Sequence, residues 1–240
     1  MKDRVEDRPV RMVFSHRRGG FSAAPYDSFN LGDHVGDSPE AVQDNREKLR
    51  RAVGADHLVF MEQIHSPTVT EVVEEHVHQG TVETTDAMIT TLRGVGLVVL
   101  TADCVPVLLS DADAGVIAAV HAGRMGARNG IVSRVVHRME ELGAVPGNIH
   151  ALMGAAICGK DYEVPQEMAQ DVEKKLPGAA VTTSKGTPGL DIRAGITRQL
   201  LSLGVRSIDA DPRCTFEEKD FFSYRREGKT GRQASVIWMP

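Results

Sequence analysis

Residues 94–126 read GVGLVVLTADCVPVLLSDADAGVIAAVHAGRMG, and this stretch decides the fold class. Its segments 97–100, 105–109 and 116–120 are short apolar runs, rich in β-branched residues and bounded by Gly, Asp and Pro. Such continuous runs suit strands covered on both faces, because an amphipathic helix carries only an apolar stripe. Two soft metal ligands stand at their ends. Cys104 follows the first run beside Asp103, and His121 ends the third ahead of a glycine-bearing turn.

On the N-terminal side, residues 84–91 (TTDAMITT) read as a strand with Asp86 at its start, and 57–64 as another that delivers His65 just before Ser66-Pro67. Residues 68–73 continue as an extended run. A strand at 11–14 (RMVF) leads into SHRRGGFSAAPYDSFNLG, a long polar loop carrying His16, Arg17, Arg18, Ser22 and Asn30, and such a loop in a compact domain is more often functional than idle. Ser38 as cap, Pro39 at the first helical position and Gly54 as a stop predict a helix over 39–53. Within 74–79, His76 and His78 on a strand would project both imidazoles to one side and invite a copper reading; the acidic, polar neighbours suit ordinary surface histidines.

On the C-terminal side, Ile131, Val132, Val135, Val136, Met139 and Leu142 predict an amphipathic helix over 126–142, closed by Gly143. Its N-terminus then lies just after His121, where free backbone N–H groups favour an anion such as phosphate. A strand at 149–157, a helix at 165–176, a helix ending at Gly204, and strands at 205–210 and 234–239 complete the pattern. Strands that alternate with helices but often neighbour one another predict an α/β fold of the α+β type, a layered sandwich rather than a repeating βαβ array.

The 240 residues suit one domain over 11–240 behind a flexible polar end, 1–10. A hydrophobic content of 41%, a charged content of 25% and a net charge of −5 give no bias toward nucleic acid or membrane. The charged start has no apolar core of a signal peptide, and no apolar run approaches the ~20 residues that span a bilayer, so a cytoplasmic protein is expected. Three scattered cysteines (Cys104, Cys158, Cys214) make no disulfide framework. The oligomeric state is left open.

His65, Cys104 and His121 share one property, a place at the end of an apparent core strand. Singly, a buried cysteine is a small hydrophobe and a strand-end histidine a hydrogen-bonded structural group. Together, two histidines and a cysteine leave one open tetrahedral position, the arrangement of a catalytic zinc, which lowers the pKa of its water to about 7. A cysteine hydrolase with Cys104 as nucleophile and His121 or His65 as base uses the same residues. Asp103 neighbours Cys104 and would face the other way along a strand, which suits a structural role. Tyr224-Arg225-Arg226 reads either as a solvated basic turn or as an anion holder.

The stretches RRGGFSAAPYDSFNLGDHVGD, NREKL, EQIHSPTV, TTDAMIT, GVGLVVLTADCVPVLL, VIAAVHAG, YEV and CTFEEKDFFSYRREGKTGRQAS run in order over nearly the whole chain. In that order they resemble the bacterial multicopper-polyphenol-oxidase-like family, also described as purine nucleoside phosphorylases and related to laccase domain-containing proteins of mammals. The resemblance implies a single-domain, four-layer α/β/β/α sandwich and a zinc ion held by His65, Cys104 and His121. It implies that Arg17 and Asn30 line the same pocket. The implied activity is phosphorolysis of adenosine, inosine and guanosine to base and ribose 1-phosphate, with adenosine deamination as a second reaction; phosphate would be held by Arg17 and Arg225.

The family usually continues H-A-G-W-R-G, whereas this chain has Arg124 and Met125 in place of the tryptophan and arginine. A base that stacks on the indole elsewhere would lie here against the Arg124 guanidinium. Gly154-Ala155-Ala156 and Asp161 also depart from the common form, as local geometry. The family's older name suggests copper, but multicopper chemistry needs about ten clustered ligands, and the nine histidines are scattered apart from His76 and His78. A non-catalytic accessory protein with a relic site is the alternative from another class.

Overall fold

In the computed structural model residues 9–240 are described. Of the expected flexible end, residues 1–8 lie outside the described residues, while Val10 packs against the core. The chain runs β1 (Arg11–Phe14), α1 (Pro39–Val53), β2 (His57–Met61), β3 (Val69–Glu71), α2 (Glu74–Gln79), β4 (Thr81–Val82), β5 (Ala87–Thr90), β6 (Val95–Thr101), β7 (Val105–Asp111) and β8 (Val116–Ala122). It continues with α3 (Arg124–Arg128), α4 (Ile131–Glu141), β9 (His150–Met153), α5 (Gln166–Lys175), β10 (Ala180–Thr182), β11 (Pro188–Leu190), α6 (Ile192–Ser202), β12 (Ser207–Ala210), α7 (Tyr224–Glu227) and β13 (Gln233–Trp238).

Every residue of β6, β7 and β8 is buried, and the sheet order explains why. β6 is the middle strand of a five-stranded sheet, β1-β13-β6-β2-β4, while β7 and β8 are central in a six-stranded sheet, β12-β9-β7-β8-β5-β3. The two sheets stack, and alternate residues divide between two cores. Leu97 and Val99 of β6, Leu108 of β7 and Ile117 and Ala119 of β8 meet between the sheets. Val98 and Leu100 point the other way, to Leu49 and Val53 of α1. Val107, Leu109, Ala118 and Val120 face Ile131, Val135, Val172 and Ile196 on α4, α5 and α6. The result is helix, sheet, sheet, helix: the four-layer mixed sandwich expected.

Leu108 has no exposure and stands between the sheets, so Leu108→Ala leaves a cavity that neither sheet can close. It is expected to cost about 2–5 kcal/mol, measured by denaturant unfolding.

Three local expectations are corrected. Residues 74–79 form helix α2 instead of a strand, so His76 and His78, two residues apart, point to opposite sides, and the His76 ring accepts the Val73 N–H at 3.2 Å. The helix expected over 126–142 is two helices, α3 and α4, parted at Asn129-Gly130 because Gly130 takes φ 81°. The amphipathic helix therefore starts away from His121, and only the short α3 follows the histidine. The strand expected over 149–157 ends at Met153, and the β10–β11 pair was not expected. No helix among the described residues is long and apolar enough to cross a membrane.

Candidate metal centre

The turn between β6 and β7 carries the chain from one sheet to the other, and Cys104 sits in that crossing. β8 is paired antiparallel to β7, with Pro106 opposite His121, which brings the end of β8 beside the start of β7. The third residue, His65, arrives from the loop after β2. One ligand atom from each of His65, Cys104 and His121 lies within 4.8 Å of the others, and the two imidazoles meet edge to face with centroids 4.8 Å apart.

Asp86, immediately before β5 and with no exposure, holds this group together. One carboxylate oxygen accepts the His65 backbone N–H at 2.9 Å and faces His121 Nδ1 at 2.8 Å. The other accepts the Ile64 and Ser66 N–H groups at 3.2 and 2.6 Å and the Ser66 hydroxyl at 2.9 Å. These bonds hold His65 at φ 60°, a left-handed conformation that a histidine does not adopt unaided. An imidazole that donates Nδ1–H to a carboxylate presents Nε2 as its free ligand atom, the pairing found behind metal-bound histidines.

Cys104, His121 and Asp86 hold one another charged. Burial alone pushes the Cys104 thiol up, but the His121 charge and hydrogen bonds to both histidines outweigh it and lower the thiol to about 6. Burial likewise opposes charge on His121, yet the Cys104 thiolate and Asp86 raise it to about 9. For Asp86, burial is outweighed by the His121 and Ser66 hydrogen bonds, which hold the carboxyl below its ordinary range. The donor set therefore fits a divalent ion of zinc type: an ionised thiolate, two imidazoles, an anchoring carboxylate and, among the described residues, no fourth protein ligand.

Gly123 shows how closely the group is packed. A Cβ there would stand 3.0 Å from Cys104 Sγ and 3.1 Å from His65 Cδ2. Gly123→Ala is expected to spread the ligands and weaken metal binding about 10-fold, measured by competition with a chromophoric chelator, with little change in unfolding.

A cavity of about 240 Å³ opens beside Cys104, walled by Ala122, Arg124, Ile157, Tyr162, Tyr224 and Arg225 among others. The Arg225 guanidinium lies 5.0 Å from the Tyr162 ring centroid and donates to the Glu163 carbonyl at 2.9 Å. Arg124 reaches Met125 Sδ at 3.2 Å and borders the same space. Burial and the Cys104 charge raise the Tyr162 phenol, against the lowering effect of Arg124 and Arg225, so it keeps its proton.

Of the residues singled out from sequence, the structure brings His65, Cys104, His121, Arg124 and Arg225 together, and leaves Arg17 and Asn30 out. Arg17 Nη1 pairs with Glu227 at 2.7 Å, its Nε donates to the Asp27 carbonyl at 3.0 Å, and it lines a separate cavity with Asp27 and Glu227. Asn30 is fully buried; its side chain accepts from Gly32 and Arg232 N–H groups and donates to the Gly32 carbonyl and Asp37, which uses its capacity. Asp103 lines the same cavity and is fixed in place, though not by strand alternation. It precedes β7 at φ 97°, held by the Thr215 hydroxyl at 2.6 Å and the Arg225 N–H at 2.7 Å. Asp86 and Tyr162 were missed. The only local signal for Asp86 was a carboxylate at the mouth of the short strand Ala87–Thr90.

The sequence profile described as multi-copper polyphenol oxidoreductase laccase matches residues 11–240. A protein named purine nucleoside phosphorylase from Corynebacterium glutamicum is 65% identical, with 98% of this chain and 96% of that protein aligned. One of the same name from Mycobacterium tuberculosis is 51% identical over 96% of this chain and 92% of its own. Among solved structures, YlmD from Geobacillus stearothermophilus superposes with a TM-score of 0.90 at 30% identity, covering 96% of this chain and 92% of that one. A Neisseria meningitidis protein gives 0.87 at 35% identity, covering 96% and 94%. The chain belongs to the multi-copper polyphenol oxidoreductase laccase family.

Proposed function

We propose that this chain is a zinc-dependent purine nucleoside phosphorylase that splits adenosine, inosine and guanosine, with adenosine deamination as a side reaction at the same site. The observation that carries the reading is the meeting of the His65, Cys104 and His121 ligand atoms at the edge of the arginine-walled cavity. The names of the relatives supply the substrate class.

When bound, a zinc ion at these three residues supplies Lewis-acid activation at its open position. The chain's own groups do the rest. Arg124 and Arg225 bring two guanidinium groups to the cavity wall, where they hold a phosphate dianion and screen its approach to the ribose. Tyr162, stacked under Arg225, offers a flat face and a protonated hydroxyl to the nucleoside. With both partners oriented, a phosphate oxygen bonds to ribose C1′ as the C1′–N9 bond breaks; its electron pair leaves with the purine, which takes up a proton. Arg17, committed to Glu227 and Asp27, is not assigned the phosphate.

One observation favours a second reading: Cys104, His121 and Asp86 stand in the order of a nucleophile, base and orienting carboxylate. A second imidazole on the same thiol favours the metal reading, because a nucleophile needs only one base. The test is incubation of the purified protein with each nucleoside, with and without phosphate, and chromatography of the products. Base and ribose 1-phosphate only when phosphate is present support the proposal, and inosine from adenosine without phosphate supports the side reaction. No product from any purine nucleoside, with zinc bound, overturns it in favour of an accessory role; a metal-free protein with hydrolytic activity favours the cysteine hydrolase.

A further inference from the structure

We propose that Cys158, Asp161 and Cys214 form a second, independent site for a thiophilic divalent cation of the zinc type, behind the wall of the first cavity. Their ligand atoms lie within 4.8 Å of one another. The Asp161 carboxylate oxygen is 3.0 Å from Cys158 Sγ and 3.4 Å from Cys214 Sγ. Zinc–sulfur and zinc–oxygen bonds of ~2.3 and ~2.0 Å at a tetrahedral angle set a sulfur–oxygen edge of about 3.5 Å, so both separations are near those of a formed site.

The chain builds this arrangement from two segments. A tight turn, in which the Asp161 and Tyr162 N–H groups both donate to the Cys158 carbonyl at 3.1 Å, puts Cys158 and Asp161 on one side. Gly159 inside it has no room for a Cβ, which would come 2.9 Å from Asp191 Cβ. Cys214 reaches the turn through a parallel bridge to Ala156, and its sulfur accepts the Cys158 N–H at 3.2 Å. A cavity of about 360 Å³ leads to both sulfurs, and Asp191 and Glu217 line it as neighbouring carboxylates, giving the ion an entry path.

Without metal, both thiols donate to one carboxylate oxygen and burial together with Asp161 holds Cys158 protonated. That disfavours a disulfide, which needs an attacking thiolate. Metal uptake releases the two thiol protons to solvent, forms two metal–sulfur bonds, and turns the Asp161 oxygen from acceptor to ligand. The ion would tie together segments that continue straight into the cavity wall. Ile157 donates its N–H to the Asp103 carbonyl at 3.0 Å, Thr215 holds the Asp103 carboxylate, and Tyr162 follows Asp161.

The experiment uses the full chain, stripped with a chelator under reductant and titrated with Zn²⁺, with bound metal measured by elemental analysis and accessible thiols counted with a thiol reagent. Cys104→Ala, which disables the first centre, is expected to keep one zinc per chain and to protect both remaining thiols when zinc is added. Cys158→Ser in the same background is expected to lose that ion and leave Cys214 reactive; Asp161→Asn, in case the serine variant does not fold, is expected to weaken binding more than 10-fold. The proposal is overturned if folded Cys104→Ala takes up no zinc under reductant, including the case of a Cys158–Cys214 disulfide whose reduction restores no uptake, or if Cys158→Ser binds as much as its parent. Because the readout is made without the first centre, failure of the nucleoside reading leaves this test intact.

Discussion

Cys104→Ala is expected to abolish metal binding at the first centre and nucleoside turnover together, each by more than about 100-fold, since loss of a ligand exceeds the 10–100-fold typical of losing a supporting hydrogen bond. The thiolate is the anionic ligand of the three, and it is the one that lines the cavity. The fold is expected to survive. Cys104 is half-buried at a turn, its removal opens no cavity in either core, and unfolding in the metal-free state should match that of the metal-free parent. Elemental analysis and product chromatography on one preparation check the prediction. Full turnover by a variant whose zinc content has fallen by one ion per chain would sink the zinc mechanism, and loss of turnover with the zinc content of the parent unchanged would point to Cys104 as a nucleophile.

Asp86 carries the second large effect, and it should act on stability and metal affinity at once. Five donors converge on its two oxygens, from Ile64, His65, Ser66 twice, and His121. Asp86→Ala strands them and leaves His121 without its counter-charge; breaking a buried pair of this kind costs about 3–5 kcal/mol, a melting temperature lower by about 10 °C in a chain of this size. Asp86→Asn is no gentle control. Whichever oxygen becomes an amide nitrogen then faces N–H or O–H donors with donors of its own. It is expected to keep the fold but lower zinc affinity about 10–100-fold, by releasing His65 from its left-handed turn and His121 from its tautomer. Wild-type affinity in Asp86→Asn would show that the carboxylate does not organise the centre. The checks are calorimetric unfolding without metal and competitive metal titration.

What the chain determined locally was legible without coordinates. Runs of β-branched residues at 97–100, 105–109 and 116–120 announce strands covered on both faces, because burial on both faces removes the polar alternation a half-exposed strand must keep. Ser38-Pro39 and Gly54 bound α1 through rules confined to a few neighbouring residues. The motifs carrying His65, Cys104 and His121 were likewise readable, although the strand expected over 57–64 ends at Met61 and His65 stands in the loop beyond it. The misreadings at 74–79 and 126–142 were also local: a six-residue helix is too short for periodicity to declare, and Gly130 breaks a continuous apolar stripe.

Only the tertiary structure could decide which of these residues meet. The β6–β7 crossing between sheets and the antiparallel register of β7 with β8 bring Cys104 to His121, and a carboxylate at the start of β5 fetches His65 from another loop. The same long-range pairing sends Arg17 to Glu227, 210 residues away, and closes Asn30 into its own turn. It also joins Cys158 to Cys214 across 56 residues. Sequence spacing carries no information about such contacts, because sheet order and register, not chain distance, set which strand ends are neighbours. The sequence therefore determined the strands and the ligand types of this protein, and the sheet stacking decided that two of its cysteines would stand together beside an aspartate and the third between two histidines.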